Sequence, residues 1–293
     1  MKGLIIINAF LRPIESVKQA ERLKEEFDKL GVSVEIISNG ALRYGVTENA
    51  LQSDFDGYDF AIFLDKDKYF SSALTSLNVR LFNRHESIRV CDDKAETVLA
   101  LAKENIPVPD TTFGALCYSN DDEIKIESAK MIGEKLGYPV IVKESYGSMG
   151  KGVYKADTEE ELFAVMNTLK LKPHLFQKYL GKEKGEDTRV IVIGGKAVCA
   201  MKRKNSEDFR SNVARGGSCT PISLEGEYIA LAERVAKVLA LDYCGVDILT
   251  GDDDKPYICE VNSNAFFEGI EIATGVNVAK KYAEYVIKEI SNK

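Results

Sequence analysis

The sequence predicts a mixed fold in which a small α/β unit with a parallel sheet precedes a longer α+β region. At the start of the chain an apolar strand, an amphipathic helix and a second strand follow one another. This is the pattern of a β-α-β unit and therefore of a parallel sheet. The second half is rich in strands joined by short turns, which favours antiparallel pairing. There are no internal repeats, low-complexity tracts or long linkers.

The first unit is predicted over residues 1–92. It begins with a strand over 3–8 and continues with a helix over 16–30, which Gly31 ends. Apolar residues recur along this helix at steps of three and four, namely Val17, Ala20, Leu23, Phe27 and Leu30. Further strands are expected over 32–37 and 58–64. No Gly-x-Gly-x-x-Gly follows the first strand, so nothing indicates a dinucleotide site there.

Two further units are predicted over residues 93–176 and 177–293. The first opens with a helix from residue 94 toward Asn105, with Ala95, Val98, Leu99 and Ala102 on its inward face. The remaining predicted elements are a helix over 128–136, strands over 138–144 and 152–156, a helix over 158–169, strands over 189–193 and 196–203, and a last helix over 276–290.

Composition excludes several classes of protein. The 293 residues carry a formal net charge of −7, which argues against a general nucleic-acid coat protein. Six scattered cysteines without a Cys-x-x-Cys pair, and only two histidines, leave little for a zinc site, a disulfide scaffold or a serine-type triad. The apolar run at the N-terminus is too short for a signal peptide or a membrane span. We therefore expect a cytoplasmic protein with neither a nucleic-acid nor a membrane partner.

Two apolar runs near the C-terminus flank a segment rich in turn residues and so predict a β-hairpin. The runs cover residues 245–249 and 257–262. If pairing is symmetric about the turn, Asp247 lies opposite Glu260, and Asn262 projects to the same face. Two carboxylates and an amide, without His or Cys, suit Mg²⁺ or Mn²⁺. The alternative is a strand end whose polar residues face water.

A glycine-rich loop lies between the two strands predicted over 138–144 and 152–156. Glycines allow the backbone to approach a phosphate, and Lys143 and Lys151 add positive charge. The loop is not a Walker A motif, because Lys151 precedes a glycine and a strand instead of opening a helix. A Ser-x-x-Lys match at Ser148 lacks the helix and partners of penicillin-binding enzymes. An ordinary glycine hairpin is the alternative.

Three further features are ambiguous when taken singly. Lys94 and Lys143 are candidate phosphate ligands or simply solvated lysines. Residues 177–180 follow an apolar strand whose free edge could hold an adenine ring. The segment 202–217 is basic within an acidic chain, and arginines suit bidentate recognition of phosphate or carboxylate.

In this order the motifs resemble those of an ATP-grasp ligase, and more closely those of the RimK-like group, which joins glutamate or similar amino acids to peptides and small acceptors. The resemblance covers the chain from about Asp93 to the C-terminus. The motifs that carry it are Asp93-Lys94, Val140-Ile141-Val142-Lys143, Gly147–Gly152, Gln177-Lys178-Tyr179, Asp187-Thr188-Arg189, Asp208-Phe209-Arg210-Ser211-Asn212, Arg215-Gly216-Gly217, Gly245-Val246-Asp247, Glu260-Val261-Asn262, Glu268-Gly269-Ile270-Glu271 and Thr274-Gly275.

The resemblance implies an ATP-grasp fold with an N-terminal α/β (pre-ATP-grasp) domain, and ATP held between two α+β lobes. The implied nucleotide-binding residues are Lys94, Lys143, Gly147, Ser148, Met149, Gly150, Gln177, Lys178, Tyr179, Leu180, Asp187, Arg210, Ser211 and Asn212. Asp247, Glu260 and Asn262 would hold two Mg²⁺ or Mn²⁺ ions. Arg203, Arg210 and Arg215 are the candidates for neutralising charge during catalysis.

The implied reaction activates a carboxylate with ATP as an acyl phosphate, and an amine then displaces phosphate to give an amide. The expected partners are therefore ATP, an amino acid such as glutamate and a carboxylate acceptor, with a homo-oligomer also possible. A rival hypothesis is a nucleotide-binding or regulatory protein of this fold without turnover. The chain departs from the group after Glu260-Val261-Asn262, where Ser263–Phe267 replaces the usual Pro-Gly turn. This change should reshape the wall beside the metal ligands. The resemblance therefore does not determine the substrate specificity.

Overall fold

The computed structural model describes residues 1–10, 14–41, 44–55, 57–148, 150–182, 184–205, 208 and 218–292. Within these ranges the strands form four sheets. No helix in them is both long and apolar enough to cross a membrane.

The N-terminal unit is built on a four-stranded parallel sheet. Its elements are β1 (Lys2–Ile7), α1 (Ile14–Lys29), β2 (Ser33–Ser38), β3 (Tyr44–Thr47), β4 (Ala50–Ser53), β5 (Phe60–Phe63), α2 (Lys68–Ser76), β6 (Arg80–Phe82) and α3 (His85–Asp92). The order across the sheet is β2-β1-β5-β6, and every pair is parallel. β3 and β4 form a separate antiparallel hairpin. The predicted β-α-β opening is therefore confirmed.

The β-α-β unit forms because its apolar residues match the period of each element. Leu4 and Ile6 on one face of β1 and Ile5 on the other are fully buried, as expected for a parallel strand covered on both sides. Helix α1 buries its predicted inner residues Ala20, Leu23 and Phe27 completely. Two residues predicted on that face, Val17 and Leu30, lie at its margin and are exposed.

The central unit is an antiparallel sheet with two helices packed on it. Its elements are α4 (Lys94–Lys103), β7 (Thr111–Phe113), α5 (Ile126–Leu136), β8 (Val140–Glu144), β9 (Val153–Ala156), α6 (Glu159–Leu169) and β10 (His174–Lys178). The strand order is β7-β10-β8-β9. The predicted inward residues Leu162, Met166 and Leu169 of α6 are buried in this core.

The predicted inward face of α4 is wrong. Leu99 and Ala102 are exposed, whereas Thr97 and Leu101, one turn apart, are buried. The Thr97 hydroxyl donates to the carbonyl of Val90 at 2.7 Å, so a polar residue is accommodated at a core position. The apolar pattern alone therefore misplaced the face by one residue position.

The C-terminal unit is a five-stranded antiparallel sheet with helices on both faces. Its elements are β11 (Glu186–Ile193), β12 (Lys196–Lys204), β13 (Ser218–Pro221), α7 (Glu227–Val238), β14 (Tyr243–Thr250), β15 (Pro256–Asn262), α8 (Glu268–Thr274) and α9 (Val278–Ser291). The strand order is β13-β12-β11-β14-β15. One buried cluster joins this sheet to the N-terminal unit, because it contains both Phe27 of α1 and Tyr282 of α9.

Candidate functional site

An open cleft of about 950 Å³ lies between the central and the C-terminal sheets. One wall comes from β8, β10 and the glycine loop, and the other from β11, β12, β14 and β15. Its residues include most of the predicted nucleotide ligands, namely Lys94, Lys143, Gly147, Ser148, Gly150, Gln177, Lys178, Tyr179, Leu180 and Asp187, together with Arg203, Asp247 and Glu260.

The hairpin β14–β15 brings the predicted metal ligands together. Asp247 pairs with Glu260, as predicted, and Gly245 pairs with Asn262. The register shifts between Asp247 and Ile248, and Cys259 is the additional residue on β15. Nearer the turn Ile248 pairs with Ile258, so the bulge is what places Glu260 opposite Asp247. Asn262, two residues further along the strand, lies on the same face.

Two arginines hold the Asp247 carboxylate. Arg189 donates from Nε to Oδ1 at 2.7 Å and from Nη2 to Oδ2 at 2.6 Å, and Arg203 Nη2 lies 3.0 Å from Oδ2. Burial opposes ionisation of Asp247, but the two guanidinium groups outweigh it and lower the pKa of this carboxyl. Asp247 therefore remains a carboxylate at neutral pH.

The corner formed by Asp247, Glu260 and Asn262 fits a hard cation. A carboxylate has about four lone-pair sites, and three of those on Asp247 are used, which leaves one on Oδ1. Nδ2 of Asn262 is buried without a hydrogen-bond partner among the described residues, and a half-turn of the amide would place Oδ1 there for a cation. Among the described residues, no group of three or more His, Cys, Asp or Glu side chains is arranged to hold a metal ion. The donor set is thus two carboxylates and an amide.

Two lysine ammonium groups lie beside this corner. Lys94 Nζ donates to the carbonyl of Gly147 at 2.7 Å and lies 3.8 Å from Glu260 Oε1. Burial lowers the pKa of Lys94, and the charge of Glu260 opposes that effect. Lys143 is buried, with Nζ 3.4 Å from the carbonyl oxygen of Cys259. Both lysines can therefore reach anionic oxygens bound next to Glu260.

Helix α4 fixes the position of Lys94 through its N-cap. Asp93 Oδ1 accepts from the backbone N–H groups of Ala95 at 2.9 Å and Glu96 at 3.2 Å. The Lys94 N–H itself donates to Ser145 at 2.9 Å, at the start of the glycine loop. Helix and loop are thus joined directly.

The glycine loop uses backbone conformations that other residues rarely adopt. Gly147, Gly150 and Gly152 have φ values of 141°, 71° and 69°. Gly152 also accepts from the N–H of Glu144 at 2.8 Å, which pairs the two ends of the loop. Met149, a predicted ligand in this loop, lies outside the described residues.

The strand β10 forms the predicted adenine side of the cleft. The Gln177 side chain is buried and donates to Thr111 Oγ1 at 3.0 Å, and the Lys178 N–H donates to the carbonyl of Asp110 at 2.9 Å. These two donors are therefore engaged within the protein. The main-chain groups of Tyr179 and Leu180 are then the most accessible to a base. Their role as nucleotide ligands stays a prediction.

Asp187, predicted to lie near the nucleotide's sugar, forms a buried ion pair with Arg203. Arg203 Nε donates to Asp187 Oδ1 at 2.7 Å, and Nη2 donates to Oδ2. Burial opposes the charge of Arg203, but Asp247 and Asp187 outweigh it and raise the pKa of the guanidinium. Arg203 thus connects the cleft wall to the candidate metal corner.

Besides Met149, four predicted site residues lie outside the described residues, namely Arg210, Ser211, Asn212 and Arg215. Sequence reasoning also missed Arg189 as a site residue. It lies two residues after Asp187 on the same face of β11 and directly opposite Asp247. Alternation along the strand could have placed it beside Asp187, but not opposite Asp247.

Comparisons with known proteins agree with this geometry. The family model of the RimK-like ATP-grasp domain matches residues 91–286. A probable alpha-L-glutamate ligase of Psychromonas ingrahamii is 32% identical over 290 residues, covering 94% of this chain and 93% of that protein. The N-acetylaspartylglutamate synthase A of Homo sapiens is 34% identical over 236 residues, covering 78% of this chain. This chain spans only 58% of the human protein's length.

Solved structures share the fold. A RimK domain ATP-grasp protein from Sphaerobacter thermophilus superposes with a TM-score of 0.72 at 20% identity, covering 97% of this chain and 99% of that one. The D-alanine–D-alanine ligase of Bacillus anthracis complexed with ATP gives a TM-score of 0.74 at 20% identity, covering 100% and 98%. The predicted ATP-grasp fold is confirmed. The chain therefore belongs to the RimK-like ATP-grasp family.

Proposed function

We propose that this protein is an ATP-dependent ligase that joins a carboxylate to an amine through an acyl phosphate. The observation that carries the proposal is the meeting, in one cleft, of Lys94 and Lys143 with the carboxylates of Asp247 and Glu260. Basic groups that suit phosphates thus face oxygen ligands that suit Mg²⁺ or Mn²⁺. Family membership and relatives named glutamate ligases or synthases support glutamate as the amino acid added.

The residues of the cleft can perform this reaction by positioning and charge neutralisation. Lys94 and Lys143 would neutralise phosphate oxygens while a carboxylate oxygen of the acid forms a bond to the γ-phosphorus and ADP leaves. The amine nitrogen then bonds to the acyl carbon and loses a proton, and phosphate leaves with the former carboxylate oxygen. Asp247, Glu260 and Asn262 would hold two Mg²⁺ or Mn²⁺ ions, which when bound offset phosphate charge.

No protein nucleophile is needed for this chemistry. The thiol beside Lys143, that of Cys259, is half-buried, and desolvation raises its pKa although the charge of Lys143 opposes the effect. It therefore remains protonated and is a poor nucleophile. All six cysteines are free thiols, which supports our further proposal of a reducing, cytoplasmic setting.

The proposal is tested by ADP release with Mg²⁺ across a panel of amino acids and carboxylates, with mass spectrometry of the products. We expect release that requires both an acid and an amine, and a product mass equal to the two minus water. The variant Asp247→Asn should lose turnover, whereas Asp252→Asn, an exposed change in the turn of the same hairpin, should not.

The rival hypothesis, a nucleotide-binding protein without turnover, makes a different prediction. ATP would then bind, but no acid and amine pair would stimulate ADP release. Equal ADP release by wild type and Asp247→Asn would contradict the metal assignment.

A further inference from the structure

The cleft carries a charge of the opposite sign to that of the whole chain. The chain has a formal net charge of −7. Among the described residues, however, six basic side chains line the cleft against four acidic ones. The basic ones are Lys94, Lys143, Lys151, Lys178, Lys184 and Arg203, and the acidic ones are Glu186, Asp187, Asp247 and Glu260. A polyanion is thus repelled by the molecule as a whole but attracted by this cleft.

Three of the six basic side chains lie where the cleft opens to solvent. Lys151, Lys178 and Lys184, which we call the mouth lysines, are exposed, whereas Lys143 and Arg203 are buried. The mouth lysines belong to three separate segments, namely the glycine loop, the end of β10 and the turn before β11. The positive charge at the opening therefore does not depend on the conformation of a single loop.

The mouth lysines also differ from other lysines of these strands and turns in their partners. Within the described ranges no carboxylate forms an ion pair with Lys151, Lys178 or Lys184. The neighbouring lysines are neutralised by carboxylates, in the pairs Lys155–Asp157, Lys182–Asp254, Lys202–Glu186 and Lys204–Glu186. The charge of the mouth lysines is therefore uncompensated and extends into the solvent in front of the cleft.

We infer that the mouth lysines steer the polyphosphate of the nucleotide into the cleft and so raise its rate of association. This inference rests on the nucleotide binding in the proposed function and concerns the capture of the nucleotide. A cleft lined by one sign of charge concentrates ligands of the other sign and accelerates their binding. Exposed ammonium groups contribute little to a complex once it has formed, because water and salt screen a surface ion pair.

The sign of the salt dependence separates this local effect from that of the net charge. Salt screens both interactions. If the mouth lysines dominate, the association rate constant falls as the ionic strength rises, because an attraction is screened. If the net charge of −7 dominates, the rate constant rises instead, because a repulsion is screened.

The experiment is stopped-flow fluorescence with Mg²⁺ and mant-ATP, a fluorescent derivative of ATP, at ionic strengths from about 0.02 M to about 0.3 M. We expect the wild-type association rate constant to fall by about tenfold over this range. The triple variant Lys151→Gln/Lys178→Gln/Lys184→Gln should bind about three- to tenfold more slowly at low ionic strength and should approach wild type at high ionic strength. Its dissociation rate constant should stay within about twofold of wild type.

A second triple variant, Lys125→Gln/Lys130→Gln/Lys135→Gln, is the matched control, because it also removes three exposed positive charges. These lysines lie on α5 and at its N-cap. Helix α5 packs on the face of the central sheet that carries Val142, whereas Lys143 on the other face lines the cleft. The control should keep the wild-type association rate constant and its salt dependence. Thermal unfolding shows that both variants are folded.

Three results would overturn the inference. The wild-type association rate constant could rise with ionic strength, or both triple variants could bind equally slowly, which would indicate the net charge alone. The mouth variant could also dissociate faster by as much as it associates more slowly, and its lysines would then be direct ligands. In each case mant-ATP still binds, so the proposed ligase function stands. Wild type that does not bind mant-ATP would contradict the nucleotide site, and with it the proposed function.

Discussion

At the scale of single residues, the main feature of the site is a row of charges across four strands. Arg203 lies opposite Asp187, Arg189 opposite Asp247, and Asp247 opposite Glu260. Each of these cross-strand pairs joins opposite charges except the pair of Asp247 with Glu260. Two facing carboxylates repel one another, so a cation is favoured at that position.

Substitution of Lys94 should weaken nucleotide binding. Lys94 lines the cleft, and burial lowers its pKa, so its charge is poorly solvated and a bound phosphate would stabilise it. We expect Lys94→Met to reduce the affinity for AMP-PNP by about tenfold or more, measured by calorimetry. Lys103→Met, an exposed change on the same helix, is the control. Unchanged AMP-PNP affinity in Lys94→Met would remove this lysine from the phosphate site.

The residue pattern by itself, without the family resemblance, brought together only residues that are close along the chain. Asp247 and Glu260 pair across a short turn, so recognising the hairpin was sufficient to bring them together, although the bulge that sets their register was not predicted. Arg189 and Asp247 are 58 positions apart. Their contact depends on which strands become neighbours in the sheet, and the local pattern of one sequence does not determine that.

At the scale of elements, the glycine loop depends on its left-handed backbone. Gly152 has a φ of 69°, and an added Cβ would lie 3.0 Å from side-chain atoms of Glu144. Gly152→Ala should cost about 1–2 kcal/mol in free energy of unfolding, from the left-handed strain, and should weaken AMP-PNP binding. Urea unfolding and calorimetry measure the two effects.

The control for this prediction is Gly269→Ala. Gly269 lies in α8, has nothing within 4 Å of an added Cβ and no positive φ. In a helix the change should be neutral or stabilise by about 0.5–1 kcal/mol. Equal effects of the two substitutions would contradict the conformational argument.

Elements were predicted well where the apolar period was complete and less well where a polar residue is buried. The strand and helix at the start of the chain have continuous periods, and both are present. In α4 the buried position belongs to Thr97, whose hydroxyl is satisfied by Val90 and Asp93. A hydrophobic pattern does not identify a buried position whose hydroxyl group is hydrogen-bonded only in the folded chain.

At the scale of the whole molecule, Asn83 connects the N-terminal unit to the strands that carry the candidate metal ligands. Its amide donates to the carbonyls of Tyr243 and Ser263, both at 2.7 Å, and accepts from the N–H groups of Asp242 at 2.6 Å and Tyr243 at 3.0 Å. The side chain is almost fully buried. The N-terminal unit thereby fixes the beginning of β14 and the end of β15.

Removal of this amide should destabilise the protein as a whole. Asn83→Ala removes four hydrogen bonds to backbone groups, and we expect a loss of about 2–4 kcal/mol. Denaturant unfolding measures it, with the exposed Asn120→Ala as control. A loss no larger than that of the control would show that the connection contributes little to stability.

The contact between the first and last helices should be sensitive to acid. Glu26 of α1 is buried, and its Oε1 accepts from Asn277, the N-cap residue of α9, at 3.1 Å. Burial opposes its charge, but hydrogen bonds from Lys29, Asn277 and Arg22 outweigh this and lower the pKa of Glu26 from 4.5 to about 2. Because the folded-state pKa is lowered, this stabilisation is complete above pH 4.5 and is lost as pH falls toward 2.

Glu26→Gln should therefore unfold more easily at neutral pH, and its difference from wild type should shrink as the pH falls from about 6 to about 3. Thermal unfolding across this range tests the prediction. The exposed Glu21→Gln on the same helix is the control. A difference from wild type that is independent of pH would show that the Glu26 charge is not responsible.

The central claim is that a carboxylate is activated as an acyl phosphate in the cleft between the two antiparallel sheets. The most direct test uses the acid that supports ADP release, labelled with ¹⁸O in its carboxylate, and mass spectrometry of the phosphate formed. The acyl-phosphate route transfers one labelled oxygen from the acid to phosphate, and we expect phosphate to gain one ¹⁸O per amide formed. Unlabelled phosphate, or label found in AMP, would contradict the claim.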